Sequence, residues 1–158
     1  MIAIDVQHFL RRAKDFESSM KLCAASNTSA EVVFLATDQV KNDENMQSAA
    51  LLGIHAAISY ADALRVGLGD SELSADDHQK AKQRLQDLLA HKKLKDTSGI
   101  RRFGELLTKK GAVAYRKNRI SEGDLQQIVE SSQRFSSWVN RVGKELNVEG
   151  WANVEPEE

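Results

Sequence analysis

The stretch MQSAALLGIHAAISYADALRVGLG, residues 46–69, decides the fold class. Small and apolar residues occupy most faces of this stretch, which is typical of a helix surrounded by other helices. Gly67 and Gly69 follow the last apolar turn and predict where the helix ends. The single proline of the chain is Pro156. Residues 1–155 therefore contain none of the residue type that most reliably interrupts helices. We therefore expect residues 46–69 to form the central helix of a bundle.

The segments at the two ends of the chain carry apolar stripes with a spacing of three or four residues. The first stripe consists of Val6, Phe9, Ala13, Phe16, Met20 and Cys23. The last consists of Leu125, Ile128, Ser132, Phe135, Val139, Val142 and Leu146, of which Ser132 is polar. Because each stripe needs an apolar partner, we expect the two to pack against each other.

Capping patterns predict where further helices begin. These patterns are Thr28 to Glu31, Ser74 to Asp77, Thr97 with Ser98, and Ser121 to Asp124. The first opens a helix through Val40, after which NDEN at 42–45 indicates a break or a short turn. The predicted fold class is therefore all-α, an up-and-down helical bundle of four to five core helices. It forms a single domain at 1–148, followed by a frayed acidic tail at 149–158 that contains Trp151.

The composition is that of an ordinary soluble globular protein, with 158 residues, 41% hydrophobic and 28% charged. A single cysteine, Cys23, excludes an internal disulfide and makes a structural zinc site improbable. The start of the chain has no secretory pattern, and no run approaches the roughly 18 apolar residues that span a bilayer. We expect a cytoplasmic protein with no membrane partner, no metal and no cofactor.

Positive charge is concentrated between His91 and Arg119, although the chain as a whole has a net charge of -1. This segment holds ten Lys and Arg residues against Asp96 and Glu105, so it carries +8 and the rest of the chain -9. A local positive field attracts phosphate even in a slightly acidic molecule. Lysine-rich helix ends are also common as solvated surface, so charge alone leaves both interpretations open.

Two histidines raise the possibility of a polar pocket. His55 and Asp62 lie seven residues apart on one helix face, with Asp77 and His78 at the next predicted helix start. The alternative is a hydrogen-bonded core histidine beside ordinary polar residues, which is the commoner situation. Asp5-x-x-His8 is a single imperfect match to the motifs of a di-iron bundle, and it does not make a metal site.

Four segments together resemble a known family. They are SAALLGIHAAISYADALRVGLG, DDHQKAKQRLQDLL, LLTKKGAVAYRKNRIS and a last amphipathic helix that ends SSWVNRVG. In pattern and order, over most of residues 5–145, they resemble the higher eukaryotes and prokaryotes nucleotide-binding (HEPN) domains. The resemblance implies a helical bundle that often forms homodimers. The family includes RNA-cutting toxins, antidote systems associated with nucleotidyltransferases, and inactive binding modules.

Active members of that family carry an arginine followed, after four to six residues, by a histidine. The corresponding place here is KKGAVAYRKN, where Lys110 stands at the arginine and Tyr115 at the histidine. Lysine lacks the planar fork of arginine, and a tyrosine with a pKa near 10 is a poor proton shuttle at neutral pH. The literal spacing occurs at Arg84 and His91, which share a helix face, but one helix too early for the family's arrangement. Ten arginines and four histidines also make a chance match common.

The sequence therefore predicts an HEPN-like domain that binds RNA or a nucleotide, with catalysis weak or absent. The binding surface covers residues 92–119, where Gly111 and its small neighbours loosen a helix end. Its candidate nucleic-acid-binding residues are Lys109, Lys110, Arg116, Lys117, Arg119, Arg101 and Arg102. One alternative is a metal-independent ribonuclease toxin of a toxin–antitoxin-type system, using Lys110 with Tyr115 or Arg84 with His91. Another is a structural or adaptor homodimer whose basic segment docks an acidic protein partner.

Overall fold

The computed structural model describes residues 2–26, 39–70, 78–115 and 121–151. These residues form five helices and no strand. The helices are α1 (Ile2–Ser26), α2 (Gln39–Gly67), α3 (His78–His91), α4 (Ser98–Tyr115) and α5 (Glu122–Glu145). They pack around a shared apolar core, which confirms the predicted all-α bundle. The helix start predicted at Thr28 to Glu31 and the cap predicted at Ser74 to Asp77 lie outside the described residues.

Helix α2 is the centre of the bundle, as residues 46–69 predict. Each of the other four helices packs against it, whereas α1 and α5 touch each other only slightly. The expectation that the first and last stripes pair with each other is therefore wrong, because both stripes pack on α2. Gly53 of α2 makes this possible: a Cβ there would lie 2.5 Å from Ser132 Oγ and 2.9 Å from Met20 Sδ. Ser132, the polar member of the last stripe, thus lies where α1, α2 and α5 meet, and its hydroxyl contacts Met20 Sδ at 3.2 Å.

Two predicted helix breaks do not occur. Helix α2 runs without interruption through NDEN at 42–45, and α4 runs through Gly111 to Tyr115. A glycine inside a helix costs only about 1 kcal/mol relative to alanine, and Asn or Asp costs less. Neither stretch contains a proline, so the packing of the flanking turns outweighs these small local penalties.

The helix boundaries follow the capping residues where the structure describes them. Helix α4 begins at Ser98, and Ser121 Oγ accepts a hydrogen bond from the Asp124 backbone N–H at 3.1 Å at the start of α5. At the end of α2, Gly69 adopts the left-handed conformation with φ of 99°. There the Asp70 N–H donates to the Arg65 carbonyl at 3.0 Å, which closes the last turn. This closure brings the Asp70 side chain back towards α2.

The packed part of the chain extends beyond residue 148. Trp151 is 5% exposed, its ring covers Gly143, and its Nε1 donates to Asn140 Oδ1 at 2.9 Å. Trp151 therefore belongs to the core rather than to a frayed tail, because its indole has both an apolar seat and a hydrogen-bond acceptor. Residues 152–158 lie outside the described part.

The sequence was expected to contain no stretch apolar enough to span a bilayer, but Met46–Gly67 is long and apolar enough to do so. Of its most apolar part, 72% is buried within the bundle. Such burial is consistent with the core helix of a soluble protein.

Candidate functional site

A cavity of about 270 Å³ lies where α1, α2, α3 and α4 meet, and we call it the four-helix cleft. Its apolar wall is formed by Phe9, Phe16 and Ile58. Its polar lining consists of Arg12, His55, Ser59, Asp62, Arg65, His78 and Lys110. Polar side chains from four separate helices therefore converge on one space.

Helix α1 contributes a stacked wall to the cleft. The Phe16 ring stacks on the His55 ring, with centroids 5.4 Å apart and an interplanar angle of 27°. The Arg12 guanidinium lies over the same phenyl ring, 5.6 Å from its centroid. Because Arg12 and Phe16 are four residues apart, they share a helix face. The half-buried His55 thus lines a pocket with Asp62 and His78, which favours the pocket interpretation over a core histidine; Asp77 lies outside the described residues.

Helices α3 and α4 meet at the cleft through a lysine and a histidine. Lys110 Nζ lies 3.2 Å from His78 Nε2, and both side chains are half-buried. A charged ammonium has no acceptor, so Lys110 donates and His78 Nε2 accepts. This contact orients the Lys110 ammonium along the wall of the cleft.

Burial and neighbouring charges shift the pKa values of two groups in the cleft. The pKa of His55 lies below its ordinary value, first because the ring is partly buried and then because Lys110, Arg12 and His78 disfavour a further positive charge. The pKa of Asp62 is raised because burial outweighs the stabilising contact with Arg65. The charges of Lys110 and Arg12 thus add to the effect of burial at the imidazole.

The acidic side of the cleft is neutralised by a buried ion network. Arg65 Nη2 lies 2.7 Å from Asp62 Oδ1, and Arg65 Nη1 lies 2.7 Å from Asp70 Oδ2. Asp70 also accepts hydrogen bonds from Arg84 Nε and Nη2 at 2.7–3.1 Å. Two arginines balance two aspartates in this network. The excess positive charge that lines the cleft therefore belongs to Arg12 and Lys110.

The basic residues of α4 do not share one cavity. Arg101 lines a depression between α3 and α4, Arg102 lines a groove between α4 and α5, and Lys110 lines the four-helix cleft. The predicted single basic surface is therefore divided among these three, because successive helical residues point about 100° apart. Lys109 is exposed and does not line the cleft. Arg116, Lys117, Arg119 and the Tyr115 side chain lie outside the described part of the chain.

Arg84 and His91 face the same way, as their spacing predicts. Both line a cavity of about 330 Å³ that also includes Asp87. The Arg84 guanidinium is held by Asp70 through contacts from Nε and Nη2. This pairing gives Arg84 a structural role in the buried ion network.

Sequence reasoning missed several residues of these sites. Arg12 is in the cleft, and the signal for it was the Arg12–Phe16 spacing on α1. Arg134 and Arg141 line the α4–α5 groove with Arg102, and their seven-residue spacing placed them on one face of α5. Arg12, Arg134 and Arg141 lie outside residues 91–119, so the concentration of positive charge in that segment did not indicate them.

Within the described residues, no group of three or more His, Cys, Asp and Glu side chains is placed to hold a metal ion. Comparison with protein-family models, with curated proteins and with solved structures gives no match for this chain. The geometry of the chain itself must therefore carry any functional conclusion.

Proposed function

We propose that this chain is an HEPN-like helical domain that binds RNA or a nucleotide, with a phosphate group held in the four-helix cleft. The observation that carries the proposal is the convergence of Arg12, His55, His78 and Lys110 on one cavity. The one carboxylate among the cleft's lining residues, Asp62, is paired with Arg65 at 2.7 Å.

The chemistry of the lining suits a phosphate group. Arg12 offers a planar fork that matches phosphate oxygens, and Lys110 offers a compact charge with three donors. Ser59 and His55 add neutral hydrogen-bond donors, while His78 accepts from Lys110. Lys110 and His55 are half-buried, which strengthens their interactions because the effective dielectric constant is lower than in bulk water, whereas Arg12 is exposed. Burial is the main reason that the pKa of His55 is lowered, and the charges of Lys110 and Arg12, which lower it further, also attract an anion.

The groove between α4 and α5 supports a ligand larger than one phosphate. Arg102, Arg134 and Arg141 line it together with Gln133, around a volume of about 380 Å³. Glu130 also lines the groove and Asp96 pairs with Arg141 at 2.9 Å, so its net charge is smaller than three arginines suggest. We assign it an auxiliary contact with an RNA backbone, expected to contribute to salt dependence.

The resemblance to HEPN domains also supports a homodimer, and the departures from the family's motif at Lys110 and Tyr115 support weak or absent catalysis. Light scattering on the purified protein measures the first property. An RNA-cleavage assay measures the second, and cleavage that is lost in Tyr115→Phe or His91→Ala would instead support the ribonuclease alternative.

The binding proposal is tested by fluorescence anisotropy with a labelled single-stranded RNA and a labelled nucleotide at several salt concentrations. We expect Lys110→Ala and Arg12→Ala to weaken binding about tenfold or more, since a charge-assisted hydrogen bond contributes about 1.5–3 kcal/mol. Lys109→Ala removes the same charge from the adjacent exposed position, and it should change the affinity about threefold or less.

Circular dichroism establishes that each variant is folded. Absence of binding by the wild-type protein at low salt, or an equal loss in the Lys109 and Lys110 variants, would contradict a phosphate site in the cleft.

A further inference from the structure

We infer that the group held in the four-helix cleft is a terminal phosphate monoester, at the end of an RNA strand or on a nucleotide, rather than an internal phosphodiester. This inference rests on the proposed function and specifies which phosphate the cleft selects.

The charge of the lining matches a dianion. Three cations, Arg12, Arg65 and Lys110, line the cleft against one carboxylate, Asp62, which leaves a net charge of +2 before any contribution from the histidines. A phosphate monoester carries about -1.5 to -2 at pH 7, whereas an internal phosphodiester carries one negative charge. A diester would leave about half of the excess charge of the cleft unbalanced.

The distribution of donors matches a tetrahedral group with three terminal oxygens. Arg12 lines the cleft from α1, Ser59 and His55 from α2 and Lys110 from α4. A monoester presents three strong acceptor oxygens, which donors on several sides can satisfy together. An internal phosphodiester has only two such oxygens and needs an exit for the strand on both sides.

The size of the cleft agrees with a small group. Its volume of about 270 Å³ lies just below the usual range for small-molecule sites, about 300–1,000 Å³. The Arg12 guanidinium lies 5.6 Å from the centroid of the Phe16 ring. The His55 ring stacks on the same phenyl ring, with centroids 5.4 Å apart. The Phe16 ring is thus already in contact with protein groups, which favours a phosphate over a base stacked on Phe16.

The inference is tested with a short single-stranded RNA that carries its label in the middle. The strand is prepared with a 5′-phosphate, with a 3′-phosphate, or with hydroxyl groups at both ends. We expect removal of the terminal phosphate to weaken wild-type binding about tenfold or more. The same removal should change binding by Lys110→Ala about twofold or less, while Lys109→Ala should discriminate as the wild-type protein does. A nucleoside monophosphate should compete for the site, and the corresponding nucleoside should not.

The outcomes separate the inference from the proposed function. If wild-type affinity depends on Lys110 but is the same with and without a terminal phosphate, the inference is overturned and the proposed function stands. If neither RNA nor nucleotide binds at low salt, the proposed function fails and the inference fails with it. Competition by inorganic phosphate but not by the nucleoside monophosphate would also overturn the inference, because the cleft would then exclude an esterified phosphate.

Discussion

Replacing Asp70 by alanine should remove a large part of the stability of this protein. The Asp70 side chain is 1% exposed and accepts hydrogen bonds from Arg65, which is 3% exposed, and from Arg84, which is 34% exposed. Removing one partner of a buried ion pair costs about 3–5 kcal/mol, because the remaining charge is left without compensation. Arg65 keeps Asp62 at 2.7 Å, and Arg84 can turn towards water. We therefore expect the lower end, about 3 kcal/mol, against the 5–15 kcal/mol typical of a folded domain.

Urea unfolding followed by circular dichroism at pH 7 measures this loss. With a typical slope of about 1–3 kcal/mol per molar urea, the midpoint should fall by about 1–3 M. The matched control is Glu105→Ala, which removes an exposed partner of Arg101 at 3.3 Å and should change stability by about 0.5 kcal/mol or less. If Asp70→Ala is no more destabilising than Glu105→Ala, the buried ion pairs of Asp70 with Arg65 and Arg84 do not contribute to stability as expected.

Three further predictions concern packing and pH. Gly53→Ala should lower the free energy of unfolding by about 1–3 kcal/mol, because its Cβ would lie 2.5 Å from Ser132 Oγ; Gly111→Ala, with no atom within 4 Å, should raise it by about 0.5–1 kcal/mol. Urea unfolding measures both, and equal effects would contradict the close approach. Burial and the nearby Glu17 carboxylate raise the pKa of Tyr60 to about 12, so its contribution to stability is fully present below pH 10 and is lost as pH rises through 12. In the wild-type protein the urea midpoint should therefore fall between pH 9 and 12, and in Tyr60→Phe it should fall less. An equal fall in both proteins would contradict the role of Tyr60. The lowered pKa of His55 means that the unfolded chain binds the proton more readily, so its contribution is present above pH 6.5 and is lost as pH falls through the folded pKa. Urea midpoints at pH 7.5 and 5.5 should therefore differ less in His55→Gln than in the wild-type protein, and a larger difference in the variant would show that the sign is wrong.

Local sequence patterns were sufficient wherever the cause lies within a few residues. The apolar content of residues 46–69 predicted a central helix, and Gly69 predicted its end because few other residues adopt a positive φ without strain. The hydroxyl of Ser121 predicted the start of α5 for a similar reason, since its acceptor and the Asp124 N–H are only three residues apart. The false breaks at 42–45 and Gly111 show the limit, because weak local penalties do not decide a helix whose neighbouring turns are packed.

The arrangement of the helices depended on contacts that are distant in sequence. Both terminal stripes needed an apolar partner, but the stripes alone did not show that α2, rather than the other stripe, would be that partner. The sequence placed Trp151 in an acidic tail, whereas in the structure its ring packs on Gly143 and its indole N–H donates to Asn140. The fit between the surfaces of two helices decides which helices pack together. The spacing of apolar residues within one helix does not indicate its partner.

In the candidate site, Lys109 and Lys110 show most clearly what the sequence determines and what the tertiary structure decides. By itself, the sequence determined that two adjacent lysines lie on one helix in a segment of high positive charge. Only the tertiary structure decided that Lys109 faces solvent, while Lys110 is half-buried beside His78, which lies 32 positions away in the chain. The physical reason is that a helix fixes the angle between successive side chains, whereas the packing of other helices decides which of those angles faces a cavity.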